Sequence, residues 1–211
     1  MKKVTRMYEK ADTAEELVNA AIDLFSRHGY DGTSVRAITA QAGANLGAIT
    51  YHFGSKEALF DAALKSVTTP MRELFNEAAS SEGPPLSRIE RLVRVFFMYL
   101  HEHPEFANMI AQQLAGSHPM PAPARDTLRV NLRTLTELIA EGQADGSIRA
   151  GNPRDLALSI ASQPMWLSLA RRVLMEGAGV NQYDPSTQEQ IVESVVQFVR
   201  AGLQQPGECP Q

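Results

Sequence analysis

Apolar residues recur at three- and four-residue spacing along almost the whole chain, and no convincing run of strand alternation interrupts them. That period restricts the chain to an all-α fold. Leu17, Ala21, Leu24 and Phe25 share one helical face, and Gly29 stops the helix. Thr13 with Glu16 three residues on reads as the capping box that starts it. Thr33 or Ser34 caps a short second helix through Gln41. A third runs from about Asn45 to His52, and Gly54 breaks it. Ser55 caps a long fourth helix to about Ala79, which Pro70 should kink or split. Further helices are predicted at about 86–102, 104–115, 122–145, 153–176 and 186–204, with Pro164 bending the fourth of these five.

Three short helices in residues 13–53 fit a helix-turn-helix bundle, with Ala42-Gly43-Ala44 as the tight turn between the second and third. Charge does not point to DNA by itself. The chain carries 20 Lys and Arg against 24 Asp and Glu, and residues 1–65 are neutral, so any nucleic-acid contact needs a local patch. The single cysteine, Cys209, excludes an intrachain disulfide and fits a reducing compartment. The N-terminus lacks an apolar signal core. The longest uncharged stretch, Leu156 to Ala170, is too short to span a bilayer, so a cytoplasmic protein without membrane contact is expected.

The string from Thr13 to Leu64 resembles the DNA-binding domain of the tetracycline-repressor (TetR) family. The pieces that carry the likeness are Ala20-Ala21, Leu24-Phe25, Gly29-Tyr30, Thr33-Ser34-Val35, Ile38, Ala42-Gly43, Tyr51-His52-Phe53 and Ser55-Lys56-Glu57-Ala58-Leu59. The resemblance implies a homodimer of helical subunits, a ligand-responsive C-terminal domain and, usually, repression. It divides the chain into an N-terminal arm (1–12), a helix-turn-helix domain (13–60), a helical ligand-binding and dimerisation domain (61–204) and a flexible tail (205–211).

In that role the third helix would lie in the major groove of double-stranded operator DNA. Gly47 removes a side chain where the helix approaches the duplex, and Asn45 can cap the helix and offer an amide to adenine. Leu46 and Ala48 suit thymine methyls, and Thr50 can reach a base or a phosphate. Leu46 departs from the family pattern, where a longer polar or basic residue is common, and this removes a donor for guanine. Tyr51, His52 and Lys56 read as phosphate contacts; Thr33 and Arg36 add to them, with Lys2, Lys3 and Arg6 of the arm. The bland alternatives stay open: His52 packing beside Phe53, and Arg36 as a solvated helix residue.

In the C-terminal half, Phe97, His101, Phe106, Met109, Gln113, Met165 and Trp166 are the candidates for binding an apolar or aromatic effector, because a kinked helix beside Met and aromatic residues can leave a cavity. Ile191, Val195, Phe198 and Val199 share one face of the last helix. With the helix at 153–176 they are the expected homodimer interface, as the resemblance implies. No cofactor or metal is expected. His101 and His103, two residues apart on a helix, point their rings apart, and His118 lies further on. No serine elbow or phosphate loop supports an enzyme. The competing readings are an activator or partner-controlled regulator, and a helical carrier or enzyme reusing the fold.

Overall fold

The computed structural model describes residues 2–115 and 119–205, with the side chains of 2–12 and of 115 left out. Among these residues there are ten helices and no strand: α1 (Lys2–His28), α2 (Val35–Gln41), α3 (Ala48–Phe53), α4 (Lys56–Ser80), α5 (Pro85–Glu102), α6 (Pro104–Ala115), α7 (Ala122–Ala144), α8 (Pro153–Leu169), α9 (Arg171–Ala178) and α10 (Pro185–Leu203). The chain divides into two compact units, one of residues 1–69 and 105–126 and one of residues 70–104 and 127–211.

The first unit holds α1 to α3, the first part of α4 and most of α6. Its core is built from Leu17, Ala21 and Phe25 of α1, Ile38 of α2, Ile49 of α3, and Leu59 and Leu64 of α4. Phe25 meets Phe60 edge-on at 4.8 Å, and Tyr30 lies 5.1 Å from Phe60. Such aromatic pairs add about 0.5–1.5 kcal/mol beyond the area they bury. α1 begins at Lys2 and not at Thr13. No proline or glycine stands in residues 2–28, so the capping signal at Thr13 has nothing upstream to stop the helix.

The second unit is centred on α5, which packs against α8 and α10. Ile89, Leu92, Val93 and Leu100 fill the α5 side of the core, and Val195, Val196 and Val199 the α10 side. Glu90 of α5, almost fully buried, accepts two hydrogen bonds at 2.6 Å from the Arg200 guanidinium of α10. A fork-to-fork pair of this kind fixes register as well as adding energy. The Arg149 backbone N–H donates to Leu203 O at 2.8 Å and ties the α7–α8 connection to the end of α10.

The two prolines predicted inside helices do not end them. α4 runs unbroken through Pro70, whose missing donor frees only the carbonyl of Ser66, an exposed residue. α8 runs through buried Pro164 and ends at Leu169, so the predicted helix at 153–176 is two helices joined at Ala170.

Candidate nucleic-acid interface and effector site

Local chemistry sets the bundle. The Ser34 hydroxyl accepts from the Ala37 amide at 3.1 Å and caps α2. Gly43 has φ +62, and a Cβ there would meet nothing within 4 Å, so the turn requires glycine for its torsion and not for space. The Ala44 amide then donates to Thr39 O at 2.9 Å and closes the turn. Gln41 donates to Asp23 at 2.9 Å and ties α2 to α1.

α3 buries Ala48 and Ile49 against the bundle. Positions 46, 47, 50 and 51 fall on the opposite side, and Leu46, Gly47, Thr50 and Tyr51 are all exposed, Tyr51 by 68%. α3 and the two residues that lead into it therefore present a small, uncharged face to solvent. His52 is half-buried and meets the Tyr51 ring edge-on at 5.0 Å. Arg36 and Asn45 are exposed.

Four sequence expectations are placed differently. Asn45 does not cap α3: Gly47 stands at the cap with no side-chain bond. The Asn45 amide oxygen lies 3.5 Å from where a Gly47 Cβ would stand. Ala48 is buried and offers no methyl to a base. Thr33 is also buried, and its hydroxyl donates to the carbonyls of Gly29 (2.8 Å) and Leu24 (3.2 Å), so its side chain locks the α1–α2 turn. Lys56 has an intramolecular anchor: its ammonium donates to Tyr30 O at 2.6 Å and lies 4.1 Å from the Tyr30 ring centre. Burial pulls its pKa below the usual lysine range, and Asp31 pulls the other way. The arm cations Lys2, Lys3 and Arg6 have side chains outside the described residues.

The expected effector residues divide between the units, with Phe106, Met109 and Gln113 in the first and Phe97, His101, Met165 and Trp166 in the second. Phe97, Phe106 and Met109 are core side chains, and Trp166 is 59% exposed on α8. His101 and Met165 are half-buried. Gln113 alone of the seven lines a cavity of about 630 Å³ in the first unit, which the sequence did not suggest. Phe97 borders a void of about 10 Å³ in the second unit with Ser168, Arg171 and Gln182, room for about one water. Nδ1 of His101 and Nε of Arg171 are buried without a hydrogen-bond partner. The His103 ring lies tilted against Tyr99, with ring centres 4.4 Å apart, and His118 lies outside the described residues.

The interface residues split as well. Val195 and Val199 point into their own subunit's core and Ile191 is half-buried, whereas Phe198 is 67% exposed. The apolar side chains left on the surface of this unit include Leu158, Trp166, Leu169 and Val173 of α8 and α9.

Residues 17–63 match the tetR family of bacterial regulatory proteins, and residues 85–199 match the tetracyclin repressor-like C-terminal domain. The chain belongs to the TetR family. It is a DNA-binding transcriptional regulator of that family. The TetR-family chain is 26% identical to the transcriptional regulator RutR of Escherichia coli K12 over 212 residues, covering 95% of this chain and 96% of RutR. It is 28% identical to the transcriptional repressor NicS of Pseudomonas putida over 145 residues, 67% of this chain and 68% of NicS. The solved structure of the ketosteroid transcriptional regulator KstR2 of Mycobacterium tuberculosis superposes with a TM-score of 0.72 at 22% identity, covering 92% of this chain and 95% of that one. Among the described residues of this TetR-family chain, no helix is long and apolar enough to cross a membrane.

Proposed function

We propose that the chain is a ligand-responsive repressor that binds a two-fold operator as a homodimer in the cytoplasm. The exposed face of α3 and of the turn before it carries the reading: Leu46, Gly47, Thr50 and Tyr51 face solvent while buried Ala48 and Ile49 hold the helix to its bundle. Leu46 and Thr50 contact base edges; Tyr51, His52, Arg36 and the remaining donors of Lys56 contact phosphates. Thr33 and Ala48 support this surface from beneath.

Dimerisation is assigned to the outer faces of α8 and α10, two helices from each subunit. The support is the apolar surface left there: Phe198, Trp166 and Leu158 are each about half exposed or more. A small molecule with an apolar or aromatic body acts as effector. The 630 Å³ cavity is of ligand size and supports that part of the reading.

Footprinting on the chain's own upstream DNA tests the proposal. A near-palindrome with half-sites about one turn, roughly 34 Å, apart is expected. A single asymmetric half-site would contradict it.

A further inference from the structure

The 630 Å³ cavity, half open to solvent, lies within the first unit, beside the turn that leads from α1 into the helix-turn-helix. Its aromatic part is the pair Tyr30 and Phe60, with ring centres 5.1 Å apart. Asp31 of the turn and Glu57 and Asp61 of α4 supply three carboxylates to the lining. Among the described residues no lysine or arginine lines it, and His28 is the one basic side chain there. Lys56 stands nearby but is tied to the Tyr30 carbonyl and ring. From the α6 side come the amides of Gln112 and Gln113.

We propose that this cavity binds an organic cation, a planar amidinium, guanidinium or amine carried on an aromatic or aliphatic body. Size is the first argument: 630 Å³ suits a small organic molecule, far more than one ion. Composition is the second. Aromatic faces and carboxylates both attract a cation, and among the described residues no arginine or lysine stands in the lining to favour an anion. A bare metal ion fits less well, since among the described residues no three His, Cys, Asp or Glu side chains are grouped to hold one. The crowding of negative charge is felt locally: burial first, and Glu57 second, hold the Asp61 carboxyl above the usual carboxylate range. A bound cation relieves that crowding.

The cavity also touches the backbone that positions the DNA-reading helices. Gly29, with φ +69, lacks the Cβ that would lie 3.0 Å from the Gln112 amide oxygen, so α6 rests directly on the turn. A ligand entering between the Gln112–Gln113 amides and Asp31 pushes on that contact. This consequence rests on the ligand-responsive reading above; the existence of the site does not.

Benzamidine, its neutral analogue benzamide, and benzoate, titrated calorimetrically into the full-length protein, test the site. Benzamidine should bind saturably, benzamide roughly tenfold or more weaker, and benzoate not at all, the loss expected for a charge-assisted contact. Glu57→Gln, at an exposed position, should weaken benzamidine while the protein melts as before, and Asp61→Asn should weaken it further. Equal binding of benzamide and benzamidine, or unchanged benzamidine affinity in both variants, overturns the proposal. Operator affinity measured in parallel separates the two claims. Benzamidine that binds and leaves operator affinity unchanged upholds the site and removes its regulatory consequence. No benzamidine binding beside an intact two-fold footprint removes the site and leaves the DNA-binding reading standing.

Discussion

Replacing Lys56 by methionine separates two jobs assigned to one ammonium. In the fold, it donates to Tyr30 O at 2.6 Å and lies 4.1 Å from the Tyr30 ring centre. Methionine keeps much of the stem and removes the charge. A hydrogen bond from a charged donor contributes about 1.5–3 kcal/mol, and a cation–π contact near the surface about 0.5–1 kcal/mol. Desolvation of the ammonium, seen in its lowered pKa, offsets part of both. The net loss should be about 1–2 kcal/mol, which for a chain of this length lowers the melting temperature by roughly 2–8 °C. If the remaining donors of the ammonium meet a phosphate, the slope of log affinity against log salt also falls by about one. Melting followed by circular dichroism and operator titration at several salt concentrations read the two effects separately. Unchanged melting would refute the anchoring argument. Lowered melting with an unchanged salt slope would confine Lys56 to the structural job.

Other substitutions test other parts. Phe198→Glu, at an exposed position, should leave the monomer folded but abolish dimer and operator binding, whereas Val195→Glu should cost several kcal/mol by burying a charge, seen as lost helicity. A folded Phe198→Glu protein that sediments as a dimer would reject the α10 interface. Trp166, exposed in the monomer, should shift its emission to the red on dilution as the dimer dissociates, and emission independent of concentration would place it outside the interface. Gly43→Ala should cost about 1 kcal/mol through torsion alone, because nothing crowds a Cβ there, and a chemical-denaturation midpoint unchanged by the substitution would contradict the torsional argument.

What could be read from the sequence was what is decided within a few residues. Ser34 caps α2 and Gly43 turns the chain, both through local backbone chemistry. The TetR-family motif pieces named the domain for the same reason. What escaped depends on which way a helix faces. Val195, Phe198 and Val199 lie on one apolar stripe, yet only contact with α5 decides that the valines turn inward and the phenylalanine outward. Thr33 and Lys56 carry the right chemistry for phosphate, but their partners, the Gly29 and Tyr30 carbonyls, are set by how the α1–α2 turn folds back. The acidic cavity escaped because its walls come from sequence separated by dozens of residues: Asp31, Glu57 and Gln113 signal nothing individually.

If the exposed face of α3 and its leading turn reads base edges on both halves of a dimer, the preferred DNA site must itself be two-fold. Selection from a randomised duplex library, run with the wild-type chain and with Leu46→Ala, tests it most directly. The wild type should select a near-palindromic motif. In Leu46→Ala, preference should relax at one or two symmetry-related positions, by about 1–3 kcal/mol each, with the rest of the motif kept. A motif without two-fold symmetry, or one that Leu46→Ala leaves unchanged at every position, would contradict it.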